Sequence, residues 1–305
     1  MNDVIAIISS TLRMTTPVAY VTLAAIISEK SGINALAMEG IMLMGSFGAV
    51  WGSYLFGNAW VGVLFGMLFS AAASLIRGWL CISFQANQTV SGVGTNIVAS
   101  GLTAMLLKII WGMDGKSEMV ESLSAWRIPL IKDIPFIGRI LGEQNPLVLL
   151  LFPCLIGLYI LMYKTRFGLR VSVAGEKPEA LSSLGMSVAK YRYLSCLISG
   201  LLAGLGGAYL SIGQLSFFSV DMTSGRGFMA LAACIFGGWN PLGGFLGSLV
   251  FGFAETMQMR LQTTVQYTQF IQMIPYALTL VVLAGFGKRK NAAPSASGKP
   301  YKEQQ

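Results

Sequence analysis

Apolar residues run along this chain in blocks close to the length of about 20 residues that crosses a bilayer. The blocks cover roughly 4–27, 33–55, 59–82, 88–111, 145–163 and 193–212, followed by an apolar region at 227–258 and a last block near 270–286. The region at 227–258 is interrupted by GGWNPLGG, Gly237–Gly244, whose glycines and Pro241 break a helix and suit a broken or re-entrant hairpin. With that hairpin counted as two limbs, the pattern predicts an all-α polytopic membrane protein with about eight apolar segments. Residues 1–287 read as one transmembrane domain and 288–305 as a polar tail.

Two polar stretches stand out, 112–144 and 164–192. In the second, Pro178 suits a first helical turn, Ala180, Leu181, Leu184 and Val188 recur at roughly helical spacing, and Gly185 can end the turn. A short amphipathic helix results, which suits either a docking surface or a solvated loop between spans. Charge assigns the sides. The first stretch balances Lys116, Arg127, Lys132 and Arg139 against Asp114, Glu118, Glu121, Asp133 and Glu143. The second sets Lys164, Arg166, Arg170, Lys177, Lys190 and Arg192 against Glu176 and Glu179, and the tail begins Lys288-Arg289-Lys290. The positive-inside rule places 164–192 and the tail in the cytoplasm and 112–144 outside. Counting spans back from 112–144 puts the N-terminus outside. A hairpin that enters and leaves from the outer side keeps the tail inside.

A faint internal echo fits inverted repeats. Phe56-Gly57 followed by Trp60, Gly62 and Gly66 parallels Phe236-Gly237 followed by Trp239, Gly243 and Gly247, in regions that run in opposite directions. The 36 glycines include the spacings Gly62/Gly66 and Gly200/Gly204, which allow helices to approach closely.

Polar groups inside the apolar blocks carry the candidate chemistry, since burying them is costly unless they are paired or hydrated. Glu39 suits a cap or interhelix hydrogen bond near the inner mouth, or a contact with a passing solute. Asn96 suits interhelix bonding or a pathway. Glu255, five residues before Arg260, suits pairing with that cation. Arg226, between two glycines, suits an interfacial anchor.

Composition narrows the function. Apolar residues make up 54% of 305 and charged residues 11%, well below the quarter or so of a soluble domain. There is no histidine, so imidazole metal sites and Ser-His catalysis are excluded. Cys81, Cys154, Cys196 and Cys234 lie far apart in apolar stretches and read as packing residues. The net charge of +8 sits in segments flanking spans, a topology pattern and not a nucleic-acid face. The N-terminus lacks a basic n-region and a small-residue cleavage site, so no removable signal is expected. No GxxxxGK[ST] phosphate loop or Gly-x-Ser-x-Gly elbow occurs, and no catalytic set can be assembled. A passage driven by a docked partner remains.

Four ordered blocks carry a family resemblance: INALAMEGIMLMGSF (33–47), GLRVSVAGEKPEALSSLGMSVAKYR (168–192), GRGFMALAACIFGGWNPLGG (225–244) and the ending IPYALTLVVLAGFGKRK…APSASGKPY (274–301). Together they resemble membrane permease subunits of bacterial ABC importers for simple sugars and nucleosides, within the branched-chain-type permease superfamily. The tail ending in Gly298-Lys299-Pro300-Tyr301 is most similar to the nucleoside branch. Ser297 departs from the pattern, since a hydrophobic residue is more typical at this position before Gly298-Lys299-Pro300-Tyr301. The resemblance implies that Gly175, Glu176, Lys177, Pro178, Glu179, Ala180, Leu181, Leu184 and Gly185 form a coupling helix that fits a groove on a cytoplasmic ATPase.

It also implies that ATP and Mg bind that ATPase and not this chain. A second permease, usually a different chain, and an extracytoplasmic substrate-binding lipoprotein complete the importer, a multi-pass assembly in the bacterial cell membrane. Glu39, Phe47, Asn96, Phe228, Trp239 and Asn240 are candidates for the translocation pathway, with Trp51 beside them. Aromatic rings with a few polar groups suit a nucleoside. The rival readings are a permease for sugars such as ribose or galactose, an ion-coupled secondary transporter and a structural or assembly subunit.

Overall fold

In this computed structural model the described residues are 2–127, 142–262 and 293–301, with the single positions 273, 277 and 280. The apolar block near 270–286 and the stretch 128–141 therefore lie largely or wholly outside the described residues. The elements are α1 (Asn2–Lys30), α2 (Met38–Phe56), α3 (Ala59–Ile82), α4 (Gln88–Trp111), α5 (Pro146–Lys164), α6 (Arg166–Glu176), α7 (Pro178–Ser183), α8 (Val188–Ala208), α9 (Arg226–Phe236) and α10 (Pro241–Gln262). A π-helical turn, Tyr209–Leu215, continues α8, and Trp126–Arg127 pairs with Glu143–Gln144 as a two-residue antiparallel ladder. Five helices (α1, α3, α4, α5, and α8 with its π-helical extension) are long and apolar enough to cross a membrane, and α2 and α10 have similar length.

Local chemistry sets the boundaries. The Asn58 side chain accepts from Trp60 N–H, Asn87 from Thr89 and Val90, and Asn145 from Leu147 with Pro146 at the first helical position. These bonds satisfy otherwise orphaned N–H groups. Gly57 and Gly112 end α2 and α4 in the left-handed conformation.

The centre is built from α1, α2, α3 and α8. Val18 to Ile27 of α1 are buried throughout. Gly62 and Gly66 of α3 lie against Ala49 and Gly45 of α2, and Gly200 and Gly204 of α8 against Ala71 and Met67 of α3. Small residues let the backbones approach, as the spacing predicts. Helix α10 runs antiparallel to α1, with Gly244 beside Ile26, Ser248 Oγ donating to Thr22 Oγ1 at 2.9 Å, and Gly252 against Thr15.

The hairpin over 227–258 forms, but its first limb is only half helical. Helix α9 has 11 residues, about 16 Å, too short to cross a bilayer. The chain reaches it through Ser216–Gly225. Residues 212–220 pair with 115–123 through Ser117 N–H to Phe218 O and Val120 N–H to Ser216 O, both 2.8 Å. Further on, Asp221 meets Ser100, eleven residues before the end of α4. The segment therefore enters beside the 112–123 loop, α9 starts near the middle of the bundle, and the Gly237–Asn240 break lies at the other end.

The two echo motifs both form helix–glycine–helix turns. The α2–α3 turn lies at the 112–123 end, where Ser53 Oγ donates to Glu121 O at 2.7 Å. The α9–α10 turn lies at the opposite end, and there Asn240 accepts from Leu242 N–H at 3.0 Å as Asn58 does from Trp60. The two turns point in opposite directions.

Candidate translocation path and coupling surface

Residues 31–37 carry the chain from the end of α1 back into the bundle, so α2 begins well below the surface. The side chain of Asn96, eight residues into α4, ties this entry down: Asn96 Nδ2 donates to Leu36 O at 2.9 Å, and Asn96 Oδ1 accepts from Gly40 N–H at 2.8 Å. Glu39 then faces the start of α9. Its Oε1 accepts from Gly225 N–H at 2.8 Å and its Oε2 from Gly227 N–H at 2.6 Å. A carboxylate thus caps a helix N-terminus belonging to another element, where free N–H groups and the helix dipole favour an anion. Gly227 has no room for a side chain against Glu39.

Next to this cap runs an exposed polar strip. Ser100 Oγ donates to Asp221 Oδ1 at 2.6 Å, Ser224 Oγ donates to Asp221 O at 3.2 Å, and Phe228 is half exposed. Asp221 and Ser224 both hold left-handed backbone conformations, at φ 52° and 46°, uncommon for residues with side chains and concentrated at functional sites. Asp221 has no cationic partner among the described residues. On the buried side of α9, Arg226 Nη2 pairs with Glu255 Oε1 at 3.0 Å, and Arg226 Nη1 donates to Met222 O at 3.3 Å. Glu255 is therefore the partner of Arg226, and Arg226 is an interior cation and not an interfacial anchor. The expected pairing with Arg260 gives way because a half-buried guanidinium needs a carboxylate more than an interfacial one does.

The far end of the basic stretch holds two helices where the sequence predicted one. Thr165 Oγ1 caps α6 by accepting from Gly168 N–H, and Pro178 opens α7. Gly175, at the end of α6, sits so close to Lys30 O and Gly32 N that a side chain there has no space. Glu176, Lys177, Glu179, Ala180 and Gly185 are exposed, and Gly185 turns the chain at φ 71°. The apolar positions split: Leu181 is 2% exposed, packing with Ala174 and Val188, whereas Leu184 is 70% exposed. Leu184 thus faces outward among exposed charges, on the side of α7 away from Leu181.

A family match decides the class. Residues 7–283 match the family described as branched-chain amino acid transport system / permease component. The chain belongs to this permease family. The nucleoside ABC transporter permease protein NupC of Lactococcus lactis subsp. cremoris is 35% identical over 99% of this chain and 98% of its own length. The guanosine ABC transporter permease protein NupQ of Bacillus subtilis is 35% identical over 97% and 96%. A second guanosine permease of the same Bacillus strain, NupP, is 27% identical over 80% and 71%. Permease components are transport subunits and not enzymes, and with its apolar helices this permease is a multi-pass membrane protein.

The remaining pathway candidates of the permease fall elsewhere. Phe47 is fully buried, edge-on to Trp111 and Phe218 at 6.1 and 5.3 Å, and Trp51 is likewise edge-on to Phe65 and Phe69. Trp239 is buried in the α9–α10 turn, and Asn240 caps α10. Of the six candidates, the structure brings Glu39, Asn96 and Phe228 together. Asp221, Ser100 and Ser224 were missed, because SFFSVDMTSG (216–225) lies between apolar blocks and reads as a surface connector. An acid flanked by Ser, Thr and Gly ahead of a half-length apolar block was the available signal.

Proposed function

We propose that this permease is one of two membrane subunits of an ATP-driven importer that carries nucleosides into the bacterial cell. The single observation that carries the reading is the Asp221–Ser100 pair, exposed halfway along the bundle beside Phe228 and the Glu39-capped start of α9. A carboxylate with no cation beside it among the described residues costs several kcal/mol if it faces hydrocarbon, so this face meets a second subunit across a hydrated passage. Full-length similarity to nucleoside and guanosine permeases supports the substrate class, and the presence of both NupP and NupQ in one organism supports a partner permease of different sequence. A carboxylate and hydroxyls suit sugar hydroxyl groups, and an exposed phenyl ring suits the base.

Positive charge on 164–192 supports a cytoplasmic placement of α6 and α7 and of the tail. There α6 and α7, from Gly175 to Gly185, dock on an ABC ATPase that binds ATP and Mg. A lipoprotein outside delivers the solute. Motion at α6 has a direct route inward. Gly175 bears on the end of α1, residues 31–37 lead to Glu39, and Glu39 holds α9 and the Asp221 turn. ATP-driven movement of α6 and α7 thereby shifts the mid-depth strip between outward and inward access.

Uptake of labelled guanosine, adenosine or uridine by cells carrying the complete importer tests this reading, with unlabelled nucleosides and free ribose or galactose as competitors. Nucleosides compete and sugars do not. Asp221→Ala lowers uptake at unchanged membrane abundance. Competition by free sugars alone, or normal uptake by Asp221→Ala, overturns it. An uptake that collapses with an ionophore and survives loss of the ATPase belongs to a secondary transporter instead.

A further inference from the structure

The segment Ala293–Tyr301 lies in a seat between α6 and the end of α1. Ala296 N–H donates to Gly175 O at 2.9 Å, Ser295 N–H to Glu176 Oε2 at 3.2 Å, and Ser295 Oγ to Glu176 O. On the opposite side of the segment, Ser297 Oγ donates to Glu29 Oε2 at 2.9 Å and Gly298 N–H to Gly32 O at 3.3 Å. Tyr301 closes the seat: the Arg192 guanidinium lies over its ring at 6.0 Å, and the ring packs by Ala174, Leu181 and Val188. Pro294 and Ala296 are buried. The same end of α1 is held from within the bundle. Glu29 Oε1 accepts from Ala35 N–H at 2.8 Å, Arg77 Nη2 donates to Asn34 O at 2.7 Å, and Gln88 Nε2 donates to Gly32 O at 3.2 Å.

From these contacts we infer that residues 293–301 are a brace, fastening the α6–α7 element to the α1–α2 turn so that movement imposed on α6 and α7 is passed to the turn rather than absorbed between them. The inference rests on the reading of α6 and α7 as the ATPase-docking element. Gly175 and Gly32 are each bonded to the segment, and with no side chains of their own to interlock, α6 and α1 touch through bare backbone. Without the segment that contact has few directional bonds. Ser297 is the anchoring residue, because its hydroxyl reaches the buried Glu29 carboxylate. The brace is a static part of the transport machinery and stays seated through the cycle.

The test uses the complete complex (both permeases, the ATPase and the binding lipoprotein) in proteoliposomes, with one chain ended before Pro294. The shortened complex keeps its ATPase and hydrolyses ATP, while nucleoside transported per ATP falls by about tenfold or more, the expected shift from losing two or three net hydrogen bonds. Amide exchange over 166–183 and 31–37 rises by a similar factor at unchanged exchange in α2 and α8. An unchanged transport-to-hydrolysis ratio overturns the brace. Loss of the ATPase from the shortened complex also overturns it, because the segment is then a docking surface. If the shortened chain does not accumulate, Ser297→Ala and Tyr301→Ala decide by the same ratio and the same exchange. Leu184→Asp, run in parallel, reports on the docking reading by itself: it releases the ATPase whatever the outcome at 293–301, and retention of the ATPase there sinks the docking reading alone.

Discussion

Glu39 offers the sharpest check on the mid-depth site. Its two oxygens accept from Gly225 and Gly227 N–H groups at 2.8 and 2.6 Å, at the N-terminus of a helix that starts inside the bundle. A hydrogen bond to a charged group contributes about 1.5–3 kcal/mol, and a carboxylate at a partly buried helix N-terminus adds up to about 2 kcal/mol. Glu39→Ala removes both bonds and leaves two N–H groups in a half-buried place with no acceptor, at a cost of about 3–6 kcal/mol. Glu39→Gln keeps one acceptor but turns an NH2 toward the second donor, so it loses more than half of that. Glu39→Asp keeps the charge and shortens the reach by one methylene, which separates capping geometry from charge alone.

The assay is thermal unfolding of the detergent-purified complex, read beside nucleoside uptake in proteoliposomes. The expected order of stability is parent, then Asp, then Gln, then Ala. The Ala variant melts lower by an amount on the order of 10 °C, and uptake falls in the same order. Parent-like melting and uptake for both Gln and Ala would refute the claim that Glu39 holds α9. Parent-like behaviour for Asp alone means that the charge, and not the paired geometry, matters.

Three further outcomes follow from other contacts. Arg226→Ala leaves Glu255 buried without its cation, a loss of about 3–5 kcal/mol, whereas joint replacement by Arg226→Met and Glu255→Leu recovers most of it; thermal melting of the two variants checks this. Gly204→Leu forces α8 away from Met67 and Gly66 of α3, so membrane abundance drops in quantitative blots, while Gly94→Leu, facing open space, leaves it unchanged. Gly175→Val pushes α6 off Lys30 and Gly32 and uncouples ATP hydrolysis from uptake in vesicles at normal abundance.

Much of the architecture could be read from the order of apolar blocks, because a bilayer imposes one length on every crossing and glycine or proline marks each break. The break at Gly237–Gly244 disclosed the hairpin, and the opposite directions of the two turns followed from charge counting. The non-helical limb at 216–225 escaped that reading, since its course is set by pairing of 212–220 with 115–123, about a hundred residues away in the chain. The partner of Glu255 escaped it for the same reason: Arg260 is near in sequence and Arg226 is near in space. In α7 and the turn after it, helical periodicity found Leu181 and Leu184 but could not say that one faces inward and the other out. Phe47 and Trp51 show the converse limit, as aromatic rings in a glycine-rich bundle pack against each other wherever small residues leave room.

The seat of residues 293–301 bears on how the permease is made. These residues follow every described helix in the chain, so a ribosome finishes α6, α7 and the α1–α2 turn long before it finishes the piece that joins them. Until then α6 and the α1–α2 turn are neighbours without the bonds that 293–301 supplies. If α6 and α7 dock as proposed, a chain cut short by premature termination or proteolysis displays that surface yet cannot transmit force through it. Whether the cell rejects such a subunit or lets it persist becomes a question of quality control, posed by the nine residues 293–301.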